Sequence, residues 1–193
     1  MGIKNEHRVF VIGMNKTGTS SIFEALKTLG FKMCPEQSLQ SVELFNQIND
    51  GDFTNLEKFL EKYNGFKDRP WNHPKVYEFL DKNYENSKFI LTIRDEDEWV
   101  ESYIRWDKKV RLRKKFYYQT ASKICYGVDD FLSDSELMKK TYRSWNESVI
   151  NYFKEKDNIL ILNIKGQNNW DLICKFLNKP KPNLKFPHAN KNS

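Results

Sequence analysis

Residues 9–21, from Val9 to Ser21, read Val-Phe-Val-Ile-Gly-Met-Asn-Lys-Thr-Gly-Thr-Ser-Ser and decide the fold. The first four are apolar and β-prone, which is typical of a parallel strand buried on both faces. From Ile22 the apolar residues recur at the spacing of a helix with one face on a core, and Gly30 follows where a helix often ends. The stretch therefore predicts a strand, a loop and the start of a helix.

The loop between strand and helix has the composition of an anion site. It holds two glycines, Gly13 and Gly18, one lysine and four hydroxyl residues. Glycine lets backbone amides turn toward a ligand, and a helix start offers unpaired N–H groups and the positive end of its dipole. A phosphate or sulfate group would fit there.

The loop agrees in part with the nucleotide-binding pattern G-x-x-x-x-G-K-[ST]. Gly13 and Gly18 have the required separation, and Ser20 stands where that pattern has its metal-binding hydroxyl. Thr19, however, occupies the position of the lysine, and the loop's own lysine is Lys16. An ordinary ATPase or kinase is therefore disfavoured, and a divergent P-loop nucleotide kinase stays as an alternative.

An arginine and a serine follow another apolar strand, Lys88 to Ile93. Arg94 stands at the carboxyl end of that strand, where ligands bind in open α/β sheets. Ser102 comes eight residues later, with a helix predicted to begin between the two. A guanidinium fork and a hydroxyl are both good hydrogen-bond donors to a phosphate.

Both sites resemble motifs of one enzyme family. Residues Asn15 to Ser20 agree at five of six positions with the sulfotransferase loop P-K-[ST]-G-T-[TS], and Phe89 to Asp95 with Trp99 and Ser102 resembles that family's 3′-phosphate motif. The end of the chain, Phe186 to Asn190, is similar to the F-P-H-x-N tail of a small sulfotransferase-like branch. The resemblance implies a P-loop-like fold and 3′-phosphoadenosine 5′-phosphosulfate (PAPS) as sulfuryl donor, with no metal.

The resemblance also implies roles for individual residues. Lys16 would lie at the bridging oxygen of the phosphosulfate as a catalytic cation, and Arg94 with Ser102 would hold the 3′-phosphate. The 5′-phosphosulfate would contact the whole loop: Asn15, Lys16, Thr17, Gly18, Thr19 and Ser20. A basic loop closes over the nucleotide in such enzymes, which makes these residues candidate cofactor contacts: Lys185, His188, Asn190 and Lys191.

Two residues are candidates for the general base that takes the acceptor's proton, Asp68 and His73. Both follow a short predicted strand around Phe66. The family uses a histidine in some members and a carboxylate in others, so the resemblance does not choose between them. Without a working base, the chain would be a non-catalytic protein that binds PAPS or its spent form, and this alternative stays open.

Length and composition limit the class of protein. The 193 residues predict a single domain over 1–193, and 39% hydrophobic with 15% aromatic residues indicates a globular protein. We expect no membrane span and no signal peptide, and three widely separated cysteines predict reduced thiols in the cytoplasm. The net charge of +6 suits a polyanionic cofactor, and no nucleic-acid motif is present.

The rest of the chain alternates helices and strands, which predicts a three-layer α/β/α fold with a central parallel sheet. Residues 158–164 are expected to form a third buried strand, and residues 119–130 an irregular connection. The acceptor is expected to be a small molecule or a glycan: aromatic residues around Trp71 and Tyr77 favour an apolar or sugar ring, and the basic run over 105–115 favours an anionic glycan. The oligomeric state does not follow from the sequence.

Overall fold

The computed structural model describes residues 7–35, 42–128, 132 and 134–189, and only the backbone at 42, 109–122 and 125. Strands and helices alternate as the sequence predicts. The elements are β1 (Arg8–Val11), α1 (Thr19–Thr28), α2 (Val42–Asn49), α3 (Thr54–Leu60), β2 (Gly65–Lys67), α4 (Pro74–Asn83), β3 (Ser87–Ile93), α5 (Glu96–Tyr126), α6 (Ser135–Tyr152), β4 (Ile159–Asn163) and α7 (Asn169–Leu177).

The four strands form one parallel sheet in the order β2-β1-β3-β4. Because all strands run the same way, the loops that follow them open at one edge. β1 lies between β2 and β3, with Phe10 level with Phe66 on one side and Phe89 on the other. The phosphate loop after β1 is therefore flanked by the residues after β2 and β3.

Helices cover both faces of the sheet. Alternate side chains such as Phe10 and Phe89 pack against α2 to α6, whereas Val11 and Ile90 pack against α1 and α7. These residues are fully buried, which explains why their strands read as continuous apolar runs. The predicted three-layer α/β/α architecture is confirmed.

The third strand differs from the prediction of a buried element. β4 lies at the edge of the sheet and pairs with β3 alone among the described residues. Only Leu162 is buried in it, and Ile161 is 42% exposed. An edge strand has one neighbour, so its apolar composition was misleading.

The prediction of an irregular connection from residue 119 is wrong up to Tyr126. There α5 continues without a break from its N-cap, Asp95, and ends at Gly127, which has a φ of 68° and donates its N–H to the carbonyl of Lys123. Residues 129 and 130 lie outside the described part of the chain. Among the residues that the structure describes, no helix is both long and apolar enough to cross a bilayer.

Candidate functional site

The phosphate loop packs tightly against the end of β3. A Cβ on Gly13 would come within 2.0 Å of Thr92 Oγ1 and 2.6 Å of its carbonyl oxygen, so only glycine fits there. Gly18 caps α1 with a φ of 105°, a left-handed conformation that favours glycine. The two glycines let the loop turn sharply and aim the first N–H groups of α1 outward.

Thr17 uses its hydroxyl to hold the loop in shape. Its Oγ1 donates to the carbonyl of Met14 at 2.6 Å and lies 2.6 Å from Oγ1 of Thr92. Thr17 is fully buried, and so is Thr92. The side chain of Thr17 therefore supports the loop from inside, and what Thr17 offers a ligand is its backbone.

A cavity of about 250 Å³ opens above the loop and brings the two predicted half-sites together. The residues that line it come from the loop and the start of α1, from the end of β3 and from α5, from the end of β4 and the turn after it, and from the last described residues: Lys16, Thr17, Gly18, Thr19, Ser20, Ser21, Arg94, Ser102, Asn163, Ile164, Lys165, His188 and Ala189. Arg94 and Ser102 thus face the same space as residues 16–20, although more than 70 residues separate them in sequence. Asn15 is not in this lining; its carbonyl accepts a bond of 2.9 Å from Trp99 Nε1.

Arg94 is held on two sides. Its Nε donates to Glu98 Oε2 at 3.3 Å, and its Nη1 donates to the carbonyl of Lys16 at 3.4 Å. Glu98 also pairs with Lys165 at 2.5 Å, and this bond, with a smaller one from Arg94, lowers the pKa of the Glu98 carboxyl. One carboxylate therefore links two cations that both line the cavity.

The main chain of Arg94 is bound by Tyr142 of α6. The Tyr142 hydroxyl accepts from the Arg94 N–H at 2.8 Å and donates to the Arg94 carbonyl at 2.9 Å. Its ring stacks on Trp99, with centroids 4.4 Å apart. Because Trp99 in turn bonds to Asn15, α5 and α6 support both the loop and the end of β3.

On the other side of the loop, β2 ends in a buried lysine. Lys67 Nζ lies 3.3 Å from Ser20 Oγ, 3.1 Å from Asp68 Oδ2 and 5.3 Å from the centre of the Phe23 ring. Asp68 has a φ of 57°, and its N–H donates to the carbonyl of Val11. One ammonium group thus connects the phosphate loop to the candidate base Asp68.

Residues 8–193 match the family model described as "Sulfotransferase domain". The chain belongs to this sulfotransferase family. It is also similar to Ava biosynthesis cluster protein M of Aspergillus versicolor, with 24% identity over 211 aligned residues that cover 94% of this chain and 80% of that protein. Among solved structures, a gluconokinase from Sinorhizobium meliloti 1021 covers 77% of this chain and 97% of its own, with a TM-score of 0.38 and 12% identity.

The second candidate base of the sulfotransferase, His73, has a different environment from Asp68. It is 4% exposed and caps α4, its Nδ1 accepting from the N–H of Lys75 at 3.2 Å. Burial, with a contribution from Lys75, lowers the pKa of His73 to about 4. The bond at Nδ1 assigns the proton of the neutral ring to Nε2.

The end of the chain folds back over the start of α1. The N–H of Ala189 donates to Ser21 Oγ at 3.2 Å, and His188 lines the cavity. Trp170 supports this segment by packing on Phe186 and donating to the carbonyl of Leu184. Lys185 is exposed and not in the cavity lining, and the predicted contacts Asn190 and Lys191 lie outside the described residues.

The aromatic residues expected to face an acceptor do not do so. Trp71 is 1% exposed and packs on Phe10 and Phe66, and Tyr77 is 2% exposed and packs on the aromatic residues of α6. Both belong to the core because their helix and loop cover the sheet. The basic run includes residues 109–115, whose side chains lie outside the described part; Arg105 pairs with Glu101 on the surface.

Sequence reasoning missed four residues that shape the site: Lys67, Thr92, Tyr142 and Lys165. Lys67 and Lys165 carried a weak signal, since each is a cation at the carboxyl end of a strand. Thr92 and Tyr142 gave none, because their partners are backbone or buried groups distant in sequence.

Proposed function

We propose that this chain transfers the sulfuryl group of PAPS to a hydroxyl or amine acceptor. The observation that carries the proposal is the cavity shared by the phosphate loop and the Arg94–Ser102 pair. A donor with phosphates on both the 5′ and the 3′ oxygen of its ribose needs two anion sites in one cavity, and membership of the sulfotransferase family supports the same reaction.

The residues present fit a polyanionic donor. Three cations, Lys16, Arg94 and Lys165, line the cavity, and the start of α1 presents its N–H groups and the positive end of its dipole. Residues 16–20 would hold the 5′-phosphosulfate, and Arg94 with Ser102 would hold the 3′-phosphate. PAPS, when bound, supplies an activated sulfuryl group.

The chain's own work is to position the acceptor's oxygen or nitrogen in line with the sulfur and to balance charge. As the new bond to sulfur forms and the bond to the 5′-phosphate breaks, the acceptor's proton passes to a base. Lys16 offsets the negative charge gained by the leaving phosphate. Lys67 adds a second, buried cation next to Ser20 on the other side of the loop.

Asp68 suits the role of base better than His73. A carboxylate oxygen of Asp68 lies next to the loop, held by Lys67. In His73, by contrast, the ring is buried and the lone pair of its neutral form is used by the N–H of Lys75. We therefore assign the proton transfer to Asp68 and a capping role to His73.

We also infer one sulfotransferase domain over residues 1–193 that acts in the cytoplasm on a small-molecule or glycan acceptor. The single sheet with described helices on both faces supports one domain. The free thiols of Cys34 and Cys174 support the cytoplasm, because disulfides are rare in that compartment.

Calorimetric titration with 3′-phosphoadenosine 5′-phosphate (PAP), and separately with ATP and Mg²⁺, tests the donor assignment. We expect tight binding of PAP, weakened about 10- to 100-fold in Arg94→Ala, since a charge-assisted contact is worth about 1.5–3 kcal/mol. Arg143→Ala is the matched control, because Arg143 pairs with Glu96 outside the cavity. Preference for ATP with magnesium would overturn the proposal and favour the kinase alternative.

Turnover of PAPS separates an enzyme from a binding protein. A panel of phenols, sugars and amines serves as acceptors, and we expect the wild-type protein to release PAP from PAPS with at least one of them. The variants Lys16→Ala and Asp68→Asn should lose this release and still bind PAP. Binding of PAP without release on any acceptor would favour the non-catalytic alternative.

A further inference from the structure

The main chain of Arg94 lies just beyond the sheet. The paired register of β3 and β4 ends at Ile93 opposite Asn163, so the next residue has left the ladder that fixes the strand. A residue in that position needs other partners if its side chain is to point reproducibly at a ligand. Both main-chain groups of Arg94 find the same partner, the hydroxyl of Tyr142.

We infer that Tyr142 is a positioning residue: its hydroxyl replaces a neighbouring strand for Arg94 and so aims the guanidinium at the 3′-phosphate. The inference rests on the proposed function, because it takes Arg94 as the 3′-phosphate contact. The hydroxyl serves as acceptor for the N–H and donor to the carbonyl, which a single hydroxyl can do at once. It therefore fixes the peptide groups on both sides of the Arg94 Cα.

Tyr142 is itself held rigidly. It is 3% exposed, and its ring stacks on Trp99 at an interplanar angle of 18°. Burial raises the pKa of the Tyr142 hydroxyl, so the proton needed for the bond to the Arg94 carbonyl stays in place at neutral pH. Rotation of the hydroxyl away from Arg94 would leave buried polar groups without partners.

The same arrangement reaches the phosphate loop along two bonds. Arg94 Nη1 donates to the carbonyl of Lys16, a residue with a φ of 74°, and Trp99 Nε1 donates to the carbonyl of Asn15. The loop therefore has a support of its own, the Trp99–Asn15 bond, which does not pass through Arg94. Tyr142, which lies on α6 and not in the cavity lining, acts directly on the Arg94 half-site.

The test is the variant Tyr142→Phe, which keeps the stacked ring and removes the hydroxyl. PAP and AMP are titrated against each variant, because AMP has the 5′-phosphate and lacks the 3′-phosphate. We expect PAP to bind about 5- to 10-fold more weakly, as for the loss of part of the charge-assisted contact between Arg94 and the 3′-phosphate, and AMP to change less than about twofold. The PAP-to-AMP ratio is measured within one variant, so a smaller active fraction cancels.

Two further variants separate positioning from a general structural role. Tyr152→Phe removes a hydroxyl from the same helix, where it donates to Asp81, and should leave the ratio unchanged. In Arg94→Ala, the further change Tyr142→Phe should cost no more PAP affinity, because Tyr142 acts through the missing guanidinium.

The outcomes are distinct. Equal weakening of PAP and AMP in Tyr142→Phe, or no weakening of either, would overturn the positioning role while the proposed function stands. A wild-type protein that binds PAP no better than AMP would instead overturn the 3′-phosphate site, and the positioning role with it.

Discussion

Thr17→Val tests whether the Thr17 hydroxyl belongs to the loop or to the ligand. That hydroxyl has one proton, which it gives to the carbonyl of Met14, so the proton between Thr17 and Thr92 must come from Thr92. Valine has the same shape and no hydroxyl. The change therefore removes the bond to Met14 and leaves the buried Thr92 hydroxyl without an acceptor.

The cost can be worked out from these contacts. The lost bond costs about 1 kcal/mol, since the Met14 carbonyl keeps a bond of 3.3 Å from the Thr17 N–H. The stranded Thr92 hydroxyl adds about 1–2 kcal/mol, for a total of about 2–3 kcal/mol of unfolding free energy. Thr92→Val alone should cost about 1 kcal/mol, and the double variant about 1 kcal/mol, because the stranded hydroxyl is gone from it.

The prediction is tested by the sign of the effect of Thr92→Val in two backgrounds, the wild type and Thr17→Val. Thr92→Val should destabilise the wild type by about 1 kcal/mol and stabilise Thr17→Val by about 1–2 kcal/mol. Urea unfolding followed by tryptophan fluorescence measures all four proteins, and Thr17→Ser, which keeps the hydroxyl, is the control. If Thr92→Val costs the same in both backgrounds, the hydroxyl pair does not exist as described and the reasoning fails.

Three further predictions concern the acid-sensitive cap, the loop glycine and the buried lysine. Because burial lowers the pKa of His73 in the folded protein to about 4 from its ordinary value of 6.5, its contribution to stability falls as pH drops from about 6.5 to 4. His73→Asn, which keeps a helix-capping side chain, should reduce this fall in the free energy of unfolding by about 3 kcal/mol, measured across that pH range. Gly18→Ala should weaken PAP binding at least about tenfold in calorimetry, because the added Cβ would lie 2.3 Å from Ile164 Cδ1 and a φ of 105° is strained for any residue but glycine. Adding Ile164→Ala removes the clash but not the backbone strain, so it should not restore binding. Lys67→Met, which keeps an unbranched side chain and removes the ammonium, should weaken PAP binding about 3- to 10-fold and reduce its salt dependence. Lys82→Met on the surface of α4 should change neither.

The sequence predicted those helices and strands in which the burial of the side chains follows one pattern from end to end. β1 and β3 are buried on both faces, so their apolar runs are unambiguous, and α1 shows a clean helical period. β4 has the same composition at the sheet edge, and composition does not record the number of neighbouring strands. The helical end of α5 was missed because its 31 residues lack one consistent apolar stripe.

At the site, the sequence was informative about groups that face a ligand and silent about groups that hold them. Lys16, Arg94 and Ser102 follow a recognisable spacing, and the structure places all three on one cavity. Tyr142 and Thr92 act on main-chain or buried atoms of residues 48 and 75 positions away. Such pairs depend on how elements pack, and a single sequence contains no local pattern for them.

Lys67 explains how the loop can do without the lysine that nucleotide kinases carry after the second glycine. Thr19 occupies that position and is 4% exposed, so its side chain packs inward at the start of α1. The positive charge comes instead from the neighbouring strand, with Lys67 Nζ at 3.3 Å from Ser20 Oγ. In a kinase that hydroxyl binds Mg²⁺, and an ammonium so close repels a divalent ion by several kcal/mol, on the order given by Coulomb's law at a protein surface. The weak binding expected for ATP with magnesium therefore has this buried ammonium as one of its causes.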